Sequence, residues 1–297
     1  MKKNAFTNIL FNWNNLAQNQ KLQSLQALEN EQSKIQRRPA RKIKMCKDEE
    51  VIKMLAEQNV TASAYVDDSK KDSIFILNLN CSAVKMIETI FHEGNHSMIT
   101  DYYNDKCNLN MFSSVDKEKL DKNYEYGLIV YSYLVQNKMF GFESVSSYEE
   151  CLVRDESIYS MLDYLMRSAD NIQELLQLSA MVLVEFVFTV ILREAMQKEC
   201  EKKYGETYEQ ILSQIVEQTD REDEVAKYKQ VVKTNKKIVD QKDKNLSKLY
   251  NVVVSTIKNI SKNDKILTEQ GRDKITNEMF AKLMEYYASQ KSNFKSF

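Results

Sequence analysis

The chain has 297 residues with 42 Lys and Arg against 43 Asp and Glu, so no global field draws it to nucleic acid or to an anionic membrane. That length buries a sizeable core without staples, and the five cysteines (Cys46, Cys81, Cys107, Cys151, Cys200) are scattered with no C-x-x-C pair, which excludes a disulfide scaffold and suits a reducing, cytoplasmic setting. One proline and five glycines indicate a helix-dominated fold.

The first residues are basic, but asparagines interrupt them too soon for a signal-peptide apolar core, so no Sec signal is expected; export by another route would leave no such mark. Residues 1–45 carry nine Lys or Arg against Glu29 and Glu31. They read as one or two amphipathic helices followed by a basic connector, 37–44, around the only proline. This N-terminal helical arm is a solvated element, or a site through which nucleic acid or a partner docks. Aromatic residues do not interleave the basic run, which disfavours nucleic acid.

A short helix is predicted over 48–58, then strands over 62–66 and 73–80 joined by a polar turn. Ser82 offers an N-cap to a helix over about 83–102, whose inward face is Val84, Met86, Ile87, Ile90 and Phe91. Beyond a polar loop, helices are predicted over about 123–138, 147–168 and 171–201. The most apolar stretch, Leu178 to Leu192, is shorter than the roughly 20 residues of a membrane span and has Glu185 at its centre, so a core helix is expected rather than a span. Residues 201–297 form a charged helical region. Within it, 225–260 has a 3-4 spacing that is apolar at eight of eleven positions, a pattern for a partner helix, an oligomer seam or packing on its own domain. A last helix is predicted over 277–289.

The chemistry concentrates in Phe91-His-Glu-Gly-Asn-His96, which holds the only two histidines. Four residues apart on a helix, His92 and His96 leave one face a turn apart, close enough to bind one zinc ion at about 2.0–2.1 Å. Glu93 stands beside that face and is placed to act as the catalytic base, taking a proton from water that the metal has activated. Catalytic zinc takes three protein ligands and an open position. With no third histidine, the third ligand is expected to be acidic. Glu150 is the first choice, in the helix that also carries Glu149, Asp155 and Glu156. Glu149 is the next alternative, and Asp155 or Glu156 are acceptors that orient a ligand imidazole. Glu185 competes for the role, since its charge cannot be buried unpaired; Cys107 and Cys151 are weaker candidates.

Three segments, Ser73-Ile-Phe-Ile-Leu-Asn-Leu-Asn80, Met86-Ile-Glu-Thr-Ile-Phe-His-Glu-Gly-Asn-His-Ser-Met98 and Tyr148-Glu-Glu-Cys-Leu-Val-Arg-Asp-Glu156, together resemble the strand, active-site helix and glutamate helix of gluzincin-type zinc metallopeptidases. They are most similar to the compact zincin-like domains of bacterial polymorphic toxins and mobile-element proteins. The resemblance covers about residues 62–165. It implies zinc, His92 and His96 as ligands, Glu93 as base, a downstream Glu as third ligand, and a protein or peptide substrate. It departs from the family pattern at Arg154, which stands four residues after Glu150 where the acidic helix of the family has Asp. The Lys/Asn/Ile-rich composition would suit an AT-rich bacterial or phage genome. The expected fold is α+β and predominantly helical: a zincin-like core over 46–200, with small sheet and active-site helix, and an additional C-terminal helical region. The expected function is a zinc metallopeptidase, possible as a housekeeping enzyme or as a secreted effector. The alternative is a helical adaptor whose zinc site is structural or vestigial, closed by a fourth protein ligand.

Overall fold

A computed structural model describes residues 4–49, 52–53, 64–66, 72–109, 112, 115–139, 141–170, 172–218 and 281. The predicted 225–260 and 277–289 helices and most of the 48–58 helix lie outside these residues. The architecture is mostly helical with one small mixed sheet, as the composition led us to expect.

Helix α1 (Ala5–Asn12) starts where the Asn4 side chain accepts from the Thr7 backbone N–H at 2.8 Å. A 3-10 turn (Trp13–Asn15) leads into α2 (Gln18–Gln36), which ends where Arg37 turns left-handed at φ 54°. The chain then forms β1 (Lys42–Met45), which pairs in parallel with β3 (Ser73–Ile76); β2 (Ala64–Val66) pairs antiparallel on the other side of β3. The predicted 73–80 strand stops at Ile76, and the Asn78 side chain accepts from the Asn80 N–H at 2.7 Å in the turn that follows.

Ser82 caps α3 (Ala83–Tyr103) by accepting from the Lys85 N–H at 3.2 Å. Next come α4 (Lys117–Gln136), α5 (Phe142–Ser146), α6 (Tyr148–Ser168), α7 (Ile172–Tyr204) and α8 (Tyr208–Gln218). α3 is the central helix. Met86, Ile87, Ile90 and Phe91 are buried with Phe6, Ile9, Trp13, Leu25 and Leu28 of the first helices, Ile74 and Ile76 of β3, and Leu162 and Leu165 of α6. Each such side chain contributes on the order of 1.5–3 kcal/mol.

Residues 4–45 therefore pack into the domain and are not an arm. They supply part of the central core, and the Trp13 indole N–H donates to the Cys81 carbonyl at 2.8 Å across the strand-to-helix turn. Two cations of the basic connector, Arg38 and Arg41, turn inward, whereas Arg37, Lys42 and Lys44 are exposed. Arg38 forms a two-pronged ion pair with Glu29 at 2.6 and 2.8 Å, both side chains being 0% exposed, and Arg41 pairs with Asp101 at 2.8 Å. The two arginines tie α2 and β1 to α3 rather than facing a nucleic acid or partner. Ile43 and Met45 follow as the missed strand β1. Asn95 fixes a third helix at the same level. It accepts from Gln36 at 2.7 Å and from Ser160 at 3.1 Å, and it donates to the Val153 carbonyl of α6 at 3.4 Å. Gly94 permits this closeness, for a Cβ there would lie 2.5 Å from Gln32 Nε2 and 2.7 Å from an Arg38 nitrogen.

The apolar Leu178–Leu192 stretch lies within α7, and no helix among the described residues is long and apolar enough to cross a membrane. Helix α8, which the sequence reading assigned to the C-terminal region, packs Tyr208, Ile211, Leu212 and Ile215 with Tyr126, Val130 and Phe142.

Candidate metal centre

α3 and α6 lie side by side, and the polar anchors of Asn95 set the first turn of α6 against the middle of α3. His92 and His96 occupy one face of α3 with ring centroids 4.9 Å apart and ring planes nearly perpendicular at 74°. Glu150 comes from the capped start of α6, where the Ser147 hydroxyl accepts from its N–H at 3.2 Å. Its carboxylate reaches both rings, Oε2 lying 3.4 Å from His92 Nε2 and Oε1 lying 3.4 Å from His96 Nε2. Donors held at about 2.0–2.1 Å from one tetrahedral ion lie roughly 3.3 Å apart, so each separation is one that two ligands of a single ion can take, as it is one that an ion pair can take. One donor atom from each of His92, His96 and Glu150 falls within 4.8 Å of the other two.

Glu149, the next residue, plays a different part. Its Oε1 lies 2.8 Å from His96 Nδ1. An imidazole that donates from Nδ1 to a carboxylate keeps its Nε2 lone pair for a metal, and its basicity rises. Glu149 thus takes the orienting role that the sequence reading gave to Asp155 or Glu156. Those two sit five and six residues beyond Glu150, turned away from it by the helical repeat. The Asp155 side chain is 53% exposed and pairs with Arg154 at 3.2 Å, and Glu156 is buried outside the three-donor group. Arg154, where the family pattern has Asp, is engaged in that pair and not in the cluster. The Cys107 and Cys151 thiols approach the Met98 and Val145 carbonyls, and burial pushes both thiols up, Cys107 to about 12. Neither joins the group. Glu185 is on α7, and its side chain lies outside the described residues.

Glu93 is buried on α3. Burial raises its pKa, the His92 and His96 rings work against that rise, and Glu150 and Glu88 add to it, leaving it above the ordinary carboxyl value. A carboxylate so tuned is a better proton acceptor near neutral pH. Burial opposes the charges on Glu150 and His96, but their mutual attraction outweighs it: Glu150 is held well below the carboxyl range, and His96, which also has Glu149, well above the imidazole range.

Three further residues complete the site, and the sequence reading named none of them. Arg193 of α7 lies 3.6 Å from Glu150 Oε2. Its only sequence signal is that it is the first cation after the apolar stretch. Glu88, a turn before His92, is buried and pairs with Lys85 at 2.6 Å. Glu143 of α5 is pushed up to about 8 by burial and by the charges of Glu150 and Glu149. A carboxyl with a raised folded-state pKa keeps its proton after the unfolded chain has lost it, so the metal-free protein should lose stability as pH rises from 4.5 to about 8. Denaturant titrations across that range should show the decline, with Glu143→Gln flattening it; parallel curves would refute the assignment.

The donor set fits a divalent cation. Five carboxylates (Glu88, Glu93, Glu143, Glu149, Glu150) surround two imidazoles, with Lys85 and Arg193 as nearby cations, and two borderline nitrogens plus one oxygen are the ligands zinc favours. No family model, curated protein or solved structure matches the chain.

Proposed function

We propose that the chain is a zinc-dependent peptide hydrolase of the gluzincin type, with His92 and His96 binding through Nε2 and Glu150 through its carboxylate. The observation that carries this reading is the convergence of those three donors from two helices, with Glu93 buried beside them. When bound, zinc supplies Lewis acidity, which makes water a nucleophile near neutral pH.

The protein's own residues do the rest. Glu149, 2.8 Å from His96 Nδ1, would hold a proton on that nitrogen and leave Nε2 to the ion. Glu93 accepts the proton of the attacking water as the C–O bond forms, then delivers it to the leaving nitrogen as the peptide C–N bond breaks. Arg193 offers a guanidinium beside Glu150 to balance its charge or to meet the negative charge that develops on the substrate oxygen.

Three donors among the described residues leave a tetrahedral ion one open position, which an enzyme needs and a structural site does not have. This favours the hydrolase over an adaptor closed by Cys107, Cys151 or a second carboxylate. Equilibrium dialysis of the full chain against zinc should give about one ion per chain, and Glu150→Gln should weaken uptake by ten-fold or more. Stoichiometric uptake unaffected by Glu150→Gln, or no uptake at all, would remove the basis of the proposal.

A further inference from the structure

His96 has its orienting carboxylate in Glu149, whereas His92 Nδ1 is buried with no hydrogen-bond partner. Few buried polar atoms are left so, and each calls for a partner. The Nε2 of the same ring faces Glu150, so Nδ1 is the nitrogen that must carry the proton if Nε2 is to bind a metal.

One turn earlier on the same face of α3 stands Glu88, 4% exposed. Its Oε2 takes the Lys85 ammonium at 2.6 Å, while its Oε1 is likewise buried without a partner. Lys85 and Arg193, the cations on this side, are donors only and cannot accept an imidazole N–H. An unpaired ring nitrogen and an unpaired carboxylate oxygen, four residues apart on one helix face and close enough to attract, are thereby left to each other.

We propose that Glu88 is the positioning residue of His92: its free oxygen accepts the Nδ1 proton and fixes the tautomer that presents Nε2 to the cation. This rests on the zinc reading for its purpose, but not for its test. Lys85 anchors the other oxygen, so the carboxylate is held at both ends. The two ligand imidazoles are then each backed by a glutamate, one from the helix that carries them and one from the helix that faces it.

Long-range proton–nitrogen NMR of the 15N-labelled, metal-free full chain reads the tautomer directly, and with two histidines the four ring nitrogens are assigned by one His92→Asn spectrum. His92 should carry a proton on Nδ1 in the native chain, whether or not Nε2 holds a second one against Glu150. Glu88→Ala should shift the Nδ1 proton towards a mixture with Nε2–H, and Glu88→Gln, whose amide oxygen still accepts, should restore the native pattern. In competition with a chromophoric chelator, zinc should bind about 10–100-fold more weakly to Glu88→Ala, with most of the affinity recovered in Glu88→Gln. A native His92 with no proton on Nδ1, or a Glu88→Ala chain with native ring protonation and native zinc affinity, would overturn the proposal. Failure of the native chain to take up zinc would overturn the metal reading instead, and the metal-free tautomer would still decide the role of Glu88.

Discussion

Glu93→Gln is expected to lower peptide hydrolysis by about two to four orders of magnitude, the usual contribution of a general base, while zinc content stays native. Glutamine keeps the shape and loses the ability to take a proton. The fold should not suffer, because burial already disfavours the charged form of Glu93 and a neutral amide removes that cost. The measurement is turnover of a mixed fluorogenic peptide library by native and variant protein, with metal content and melting temperature read on the same samples. Full activity in Glu93→Gln would refute the mechanism; loss of zinc along with activity would make Glu93 a ligand rather than a base.

The largest effect on stability should come from Glu29, which lies behind α3. Its carboxylate takes both prongs of Arg38 and, at 2.8 Å, the backbone N–H of Arg41. Glu29→Ala would leave the Arg38 guanidinium buried and unpaired, at a cost of about 3–5 kcal/mol. For a domain of ordinary stability, roughly 5–15 kcal/mol, that is about a fifth of the total or more. Urea unfolding should show the loss as a lower midpoint, and the double change Glu29→Leu with Arg38→Met should recover most of it, since an apolar pair leaves no charge stranded. A loss under about 1 kcal/mol in the single variant would mean that Arg38 finds another partner.

The helices were legible because their apolar periodicity and caps are local. Ser82 and Ser147 cap α3 and α6 where the sequence placed those starts, and α6 ends at Ser168 as expected. β1 was not legible. Its four residues, Lys42–Met45, follow a basic run, and only the partner strand β3 makes them a strand. The arginines misled for the same reason: Asp101 lies 60 positions from Arg41, and no local pattern announces the pair.

The site divides in the same way. That His92, Glu93 and His96 share one side of a helix follows from a spacing of four and a period of 3.6, and the sequence alone determined it. That Glu150 reaches both rings, that Glu149 backs one of them, and that Arg193 and Glu143 stand near was decided by the packing of α6 against α3, α5 and α7. Four acids on one helix are interchangeable to a reader of sequence. What distinguishes them is the rotation of α6 about its own axis, set where Asn95 of α3 bonds Ser160 and the Val153 carbonyl. A helix's period fixes which residues share a face; only its neighbours fix which way that face looks.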